Sequence, residues 1–529
     1  MTFAHRPLVM SAAGMVVSGH HRASEAGAAM LRRGGNAMDA AVTAAAALAV
    51  AIPHMNGLGG DSIALFYDSR ANRVTAINGS GRAPAKATVG HYRDLGYQAI
   101  PQRGALAMSV PGVVRAWDDC LRRWGTKPLG ECLEAAIGLA EEGVPIDQGQ
   151  LDFLTGPVYA DLASRFEGLA ALFGKADQPR TFGARLRQPA LARTLRRLAE
   201  DGAASFYEGA IADALLADLN AAGALITRED LGRHATEFSD SLEISYRGRV
   251  VHAAPPNSQG LALMLLLGLD EVAGPARAAD PALGSGLNPA WYMRAKRAAF
   301  ALRDRYAADP ERVRVPTDLL SPRSLARIAG GEDVPDAEAK AGAGDTSSLV
   351  VVDAAGNAVS WVQSLFEEFG SGVVSARTGV VLHNRLYLEQ LDSDPVRGLR
   401  PGMRPFHTLC PAIVVGEHGC DLAIATPGDH GQPQSIYQVL RHVYEEGAVI
   451  QDAVERPRLR HDQGSEVMVE DRAPPEWSAA LRAAGYRVRD VGPWSRLMGG
   501  VNAVQRLGEG VWAAGADPRR SSYAMTAEC

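Results

Sequence analysis

The chain has 529 residues, 47% of them hydrophobic and 22% charged, with a net charge of −6. That length accommodates two or more domains or one large layered domain, and the mild negative charge argues against nucleic acid or an anionic membrane as a partner. Five scattered cysteines (Cys120, Cys132, Cys410, Cys420 and Cys529) with no CxxC pair argue against a disulfide framework or structural zinc and fit a reducing compartment.

The N-terminal Met1–Pro7 stretch carries no apolar core of signal-peptide length. The longest apolar run, Ala40 to Ile52, is about 13 residues, short of the roughly 20 that a spanning helix needs. A cytoplasmic protein with a buried core helix there is the expectation. Residues Arg22 to Ile52 read as two helices. The first, Ser24 to Arg33, stops at Gly34-Gly35, and the second starts at Asn36, a good N-cap. A Gly-rich loop, Asn56 to Asp61, leads into strand-like alternation at Ser62 to Tyr67 and Arg73 to Asn78. From about Pro111 to Arg233 the pattern is helical, at Val113–Trp124, Leu129–Glu142, Ala190–Asp201 and Gly209–Ala222. Leu242 to His252 alternates as a strand, and Leu261–Val272 and Ala290–Arg303 read as helices. Pro310 to Asp345 is first charged, then small and flexible, and its end, Val334 to Asp345, reads as disordered or strained. Beyond it, strands are expected at Ser348–Val352, Ala358–Val362, Ala412–Val415, Asp421–Ala425 and Glu466–Val469, with a helix at Ser435–Tyr444.

Thr346 is the most telling residue. It begins a strand directly after the loose run Ala341-Gly342-Ala343-Gly344-Asp345, and the chain then turns at Ala354–Asn357 and returns to Ser364. If the chain breaks before Thr346, its free α-amine can serve as base for its own hydroxyl, the N-terminal threonine form of nucleophilic catalysis. Taken alone, a threonine after Gly-Asp is also ordinary strand and turn chemistry. Gly57-Leu58-Gly59-Gly60 follows a helix, not a strand, so it is not a nucleotide-binding loop. His20 and His21 are adjacent and would diverge on a helix or strand, so no metal site is expected there, and no cofactor is expected for the chain.

Across nearly its whole length the chain resembles the gamma-glutamyltransferase (gamma-glutamyltranspeptidase) family of N-terminal nucleophile hydrolases. The resemblance lies in Ala23–Ala41, Pro53–Gly60, Arg82–Thr88, Ser109–Gly112, Gly344-Asp345-Thr346, Asp353 with Gly356–Ser360, Phe369–Gly372 and Arg404-Pro405. It implies an α+β fold, a four-layer αββα sandwich, and autocleavage between Asp345 and Thr346. Residues 1–345 then form a large subunit and 346–529 a small one, the two fragments associating into one sandwich; whether such pairs go on to form a dimer is left open by the sequence. It also implies Thr346 as nucleophile, Ser364 as the hydroxyl that supports it, and the N–H groups of Gly428 and Asp429, in Thr426–Gly431, as the oxyanion hole.

The chain departs from the family where a γ-glutamyl group would be held. The ammonium-binding positions carry Phe366, Arg385 and Leu388, and the carboxylate-binding serine pair is His407-Thr408. The family's arginine position is Ser80, with Arg82 two residues nearer Pro84, on the same face of a strand. A buried ammonium facing Phe, Arg and Leu would be unpaired. Two arginines and an imidazole favour a small acidic acyl group. The local pattern is similar to the branch that includes oxamate amidohydrolases. The expected function is therefore an autoprocessed threonine hydrolase of an oxamate- or oxalyl-like amide, with Arg82, Arg385, His407, Thr408 and Phe366 binding substrate. The alternatives are a gamma-glutamyltransferase or glutathione hydrolase, a natural-product enzyme cleaving a C–C bond or deacylating a β-lactam, and an uncleaved binding protein.

Overall fold

The computed structural model describes residues 6–277, 286–332, 334, 346–508 and 510–528. Two seven-stranded sheets form its centre, and every strand pairing within them is antiparallel. One sheet runs, edge to edge, Tyr523–Thr526, Gly14–Ser18, Ser347–Asp353, Ala358–Ser364, Asp61–Asp68, Arg73–Gly79 and Glu237–Asp240. The other runs Met10–Ser11, Val511–Ala516, Asn502–Gly508, Gly419–Ala425, Ala412–Gly416, Arg249–Ala253 and Leu242–Tyr246. Each sheet draws strands from both sides of Thr346, so neither side can complete a sheet alone.

Strand alternation sets the layers, because successive side chains point to opposite faces. Val350 and Val352 face inward with Met15, Val17, Ile63, Ile413 and Val504, filling the space between the sheets. Leu349 and Val351 face outward, into a core shared with the helices of the N-terminal half. The outer face of the second sheet, including Val251, Val414 and Ile424, packs on the helices Gly260–Arg277, Pro289–Tyr306 and Gln432–Tyr444. The result is the four-layer αββα sandwich.

The run Ala40 to Ile52 lies in the helix Ala37–Ala51, capped by Asn36 in a capping box with Asp39 and buried along its whole length. Nine alanines in that helix let it lie close to the helices His21–Arg32 and Leu129–Glu142. Among the described residues no helix is long and apolar enough to cross a membrane.

Three sequence expectations change. Leu242 to His252 is two strands, not one, because Arg247 and Gly248, with φ of 47° and 76°, make a two-residue hairpin turn. A helix, Pro322–Ala329, stands in the stretch read as charged and flexible. Six further sheet strands, Met10–Ser11, Gly14–Ser18, Glu237–Asp240, Asn502–Gly508, Val511–Ala516 and Tyr523–Thr526, carried too little alternation to be recognised. Of the segment from Val334 to Asp345, only Val334 lies within the described residues.

Candidate active site

Thr346 immediately precedes the strand Ser347–Asp353, whose pairing sets Ser347 opposite Gln363. This register brings Thr346 to Ser364, the last residue of the partner strand, with 3.1 Å between their hydroxyl oxygens. Both are buried, at 2% and 0% exposure. Phe366 N–H donates to Ser364 Oγ at 2.8 Å, which fixes the position of the serine hydroxyl beside Thr346. Gly60 passes so close over Ser364 that a Cβ there would lie 2.4 Å from its carbonyl oxygen. Beneath the pair, Asn56 Nδ2 donates to Ser347 Oγ at 2.8 Å, Ser347 Oγ donates to Gln363 O at 3.0 Å, and Trp117 Nε1 donates to Gln363 Oε1 at 3.1 Å. Asn502 Nδ2 donates to Ser348 Oγ at 2.8 Å. These buried amides hold the strand mouth rigid, and none of them stood out in the sequence.

The loop Thr426–Gly431 follows the strand Gly419–Ala425 of the second sheet. Gly428 and Asp429 both lie at positive φ, 124° and 53°. Successive positive-φ residues are the kind of backbone that can present neighbouring N–H groups to an anion. Gln259 ties this loop to the one before it, donating Nε2 to Asp429 O at 2.8 Å and also to Thr408 O.

A fully buried charge cluster abuts Ser364. Asp61, which pairs with Ser364 across the sheet, accepts two parallel bonds from Arg385, at 2.9 Å from Nε and 3.0 Å from Nη2. His407 Nε2 lies 3.3 Å from Asp61 Oδ2, without hydrogen-bond alignment. The Arg385 guanidinium lies 4.4 Å from the centre of the Phe366 ring. Burial works to raise the Asp61 carboxyl, but the charge and hydrogen bonds of Arg385 hold it below the usual carboxylate range. Burial, then Arg385, pushes His407 well below its ordinary value, so its ring is neutral. Arg385 Nη1, His407 Nδ1 and Thr408 Oγ1 are buried with no hydrogen-bond partner among the described residues. Asp61 was read only as the end of a Gly-rich loop. A buried arginine at 385 was the signal that a carboxylate must stand near it.

Phe366, Arg385, His407 and Thr408 are thus near one another and near Ser364. Arg82 is engaged elsewhere: it donates to Gly402 O at 3.0 Å and pairs with Glu237 at 3.1 Å and Glu311 at 2.6 Å. Its described contacts include none of the other candidate residues. Arg404, not Arg82, reaches the buried Ser80, whose backbone and side-chain oxygens both accept from its Nη1. Asp345 lies outside the described residues.

Thr346, Ser347 and Ser348 also line a cavity of about 460 Å³, with Ile52, His54, Phe153 and Arg496 among its walls. Arg496 lies 4.1 Å from the centre of the Phe153 ring. Among the described residues no cluster of three His, Cys, Asp or Glu side chains is placed to hold a metal ion.

A threonine at the head of a central strand in a four-layer sandwich is the architecture of an N-terminal nucleophile hydrolase. The chain belongs to the gamma-glutamyltranspeptidase family, which residues 23–527 match, and it is an enzyme of that family. It is 36% identical to the glutathione hydrolase-like YwrD proenzyme of Bacillus subtilis, over 97% of this chain and 98% of that one. It is likewise 36% identical to the oxamate amidohydrolase proenzyme of Klebsiella pneumoniae, with the same coverage. Its fold superposes on the cephalosporin acylase from Bacillus halodurans with a TM-score of 0.90, at 29% identity, over 100% of this chain and 98% of that one.

Proposed function

We propose that the protein is an N-terminal threonine amidohydrolase, matured by cleavage between Asp345 and Thr346, that acts on a small acidic acyl group such as oxalyl. The hydroxyl contact between Thr346 and Ser364 carries this reading. In maturation, Thr346 Oγ1 bonds to the carbonyl carbon of residue 345, the C–N bond to Thr346 breaks as its nitrogen takes the hydroxyl proton and becomes the free α-amine, and water then hydrolyses the ester to release the new carboxyl terminus. In turnover that amine takes the Thr346 hydroxyl proton as Oγ1 bonds to the substrate carbonyl. The developing oxyanion meets the N–H groups of Gly428 and Asp429. The C–N bond then breaks, the proton passes to the leaving amine, and water releases the acid from the ester. Relatives named as proenzymes support the maturation step.

The acidic acyl group is inferred from the cluster beside Ser364. Both oxygens of Asp61 are taken by Arg385, so an α-ammonium there would meet a guanidinium and no available carboxylate. The unpartnered donors, Arg385 Nη1 and Thr408 Oγ1, suit a carboxylate instead. Phe366 completes the wall by stacking on Arg385. Arg82 would serve at most indirectly, through its pairing with Glu237, which also binds Arg404.

Relatives named glutathione hydrolase, such as that of Escherichia coli at 30% identity, keep a γ-glutamyl reading as the competitor. Steady-state hydrolysis of oxamate and of a γ-glutamyl anilide, by wild-type protein and Thr346→Ala, separates the two. Oxamate turnover without anilide turnover is expected, both absent in Thr346→Ala. Anilide turnover accelerated by a dipeptide acceptor would overturn the acyl assignment.

A further inference from the structure

We infer that the cavity on the open side of Thr346 receives the leaving amine of the substrate, and that this amine carries an anion bound by Arg496. The inference rests on Thr346 as nucleophile and goes beyond it to the other half of the substrate. The two sides of Thr346 differ. Ser364, Phe366, Arg385, His407 and Thr408 are fully or almost fully buried and do not line the cavity. The acyl group stays on the enzyme through the ester stage, while the amine must leave and water must enter. The enclosed side therefore suits the acyl group, and the open cavity suits the amine.

The cavity is far larger than ammonia requires. At about 460 Å³ it falls in the range of pockets that enclose a small organic molecule. Ile52, Met55 and Phe153 give it apolar wall, so the amine has an apolar body. Its charge is decided by which lining groups are already occupied. Arg519 is held by Asp517 and by Glu470. Asp147 caps Gln150 N–H at 2.8 Å and accepts from Ser521 Oγ at 3.1 Å, and Asp152 accepts from Gln148 Nε2 at 2.7 Å. Arg6 donates to Ser522 O.

Arg496 is different. Its guanidinium has no carboxylate and no hydrogen-bond partner among the described residues, and its contact is the Phe153 ring. That ring is backed in turn by His54, with centres 4.8 Å apart. The Arg496 carbonyl accepts from Arg520 Nη2 at 3.0 Å, which fixes its backbone. A guanidinium held over an aromatic ring, with its N–H donors uncommitted, is positioned to meet a carboxylate. The substrate class is thus an N-acyl derivative of an amine bearing a carboxylate and an apolar side chain, cleaved to the small acid and the free amino acid.

The test is product binding, measured by titration calorimetry of mature protein with phenylalanine and with phenylalaninamide. Wild type is expected to prefer phenylalanine by about tenfold, the worth of one charge-assisted pair. Arg496→Gln should abolish that preference, and Arg496→Lys should keep part of it. Equal binding of both compounds by wild type, or an undiminished preference in Arg496→Gln, overturns the inference. Arg496 is exposed, so neither variant is expected to disturb folding, and thermal unfolding checks this. Thr346→Ala separates the two readings. Amide turnover retained in Thr346→Ala sinks the nucleophile alone, whereas a lost carboxylate preference in wild type sinks the Arg496 site alone.

Discussion

Asp61 and Arg385 meet in two parallel hydrogen bonds of 2.9 and 3.0 Å, with neither side chain exposed. The pair fastens the residue opposite Ser364 to the 3-10 turn Arg385–Leu388, so a charge change here reaches Ser364 through one strand pairing. Removing one partner leaves an uncompensated buried charge, which costs about 3–5 kcal/mol. Asp61→Asn and Arg385→Met are each expected to lower the denaturation midpoint strongly. The double variant Asp61→Asn/Arg385→Met should be less destabilised than the two effects added. Urea unfolding of the three proteins checks this, and strict additivity would show that the pair is not coupled.

Maturation should require the Thr346 hydroxyl as its nucleophile. Intact mass after incubation at neutral pH is expected to give fragments of 345 and 184 residues, since 529 − 345 = 184. Thr346→Ala should remain one chain, and Thr346→Ser should still divide. Ser364→Ala removes the hydroxyl at 3.1 Å and should slow both maturation and turnover by about a hundredfold, in the range of one positioned proton-transfer group.

Gly60 is a steric requirement of the site. A methyl at its Cβ position would sit 2.4 Å from Ser364 O, a clash with backbone rather than with a pliable side chain. Gly60→Ala is expected to reduce kcat sharply and to lower Tm. Gly138→Ala, where a Cβ meets nothing within 4 Å in the helix Leu129–Glu142, should be neutral or slightly stabilising. Equal behaviour of the two variants would refute the steric account.

Glu389 introduces a pH dependence. It is buried beside Arg397 and accepts from Phe406 N–H at 2.8 Å. Burial raises its carboxyl from 4.5 to about 7, with Arg397 opposing. Between those values the folded chain holds a proton that the unfolded chain has released. The contribution is therefore fully favourable below about 4.5 and is lost as pH rises through about 7. Glu389→Gln keeps the acceptor for Phe406 and removes the ionisation. Its stability should change less than that of wild type between pH 5 and pH 8, by an amount on the order of a few kcal/mol at most. Parallel pH curves for the two proteins would count against a raised Glu389.

Much of this molecule was legible in local chemistry. Asn36, Gly34-Gly35 and the alanine run marked two helices because capping and close packing are properties of short windows. Thr346 stood out at the head of a hairpin, and Ser364 through the family resemblance, which the hairpin's register from its turn at Ala354–Asn357 made geometrically reasonable. The strands Gly14–Ser18 and Asn502–Gly508 were missed because each is stabilised by partners far along the chain. Val16, for example, pairs with Val351, a contact that no window contains. For the same reason the sequence suggested Arg82 and Arg385 as cations but not their partners. Only the tertiary structure engaged Arg82 with Glu237 and Glu311, set Asp61 against Arg385, and brought Arg496 to the cavity of Thr346. The sequence determined which groups the chain carries and the local turns that present them. The packing of two sheets, each built from both halves of the chain, decided which charges neutralise one another and which remain to meet a substrate.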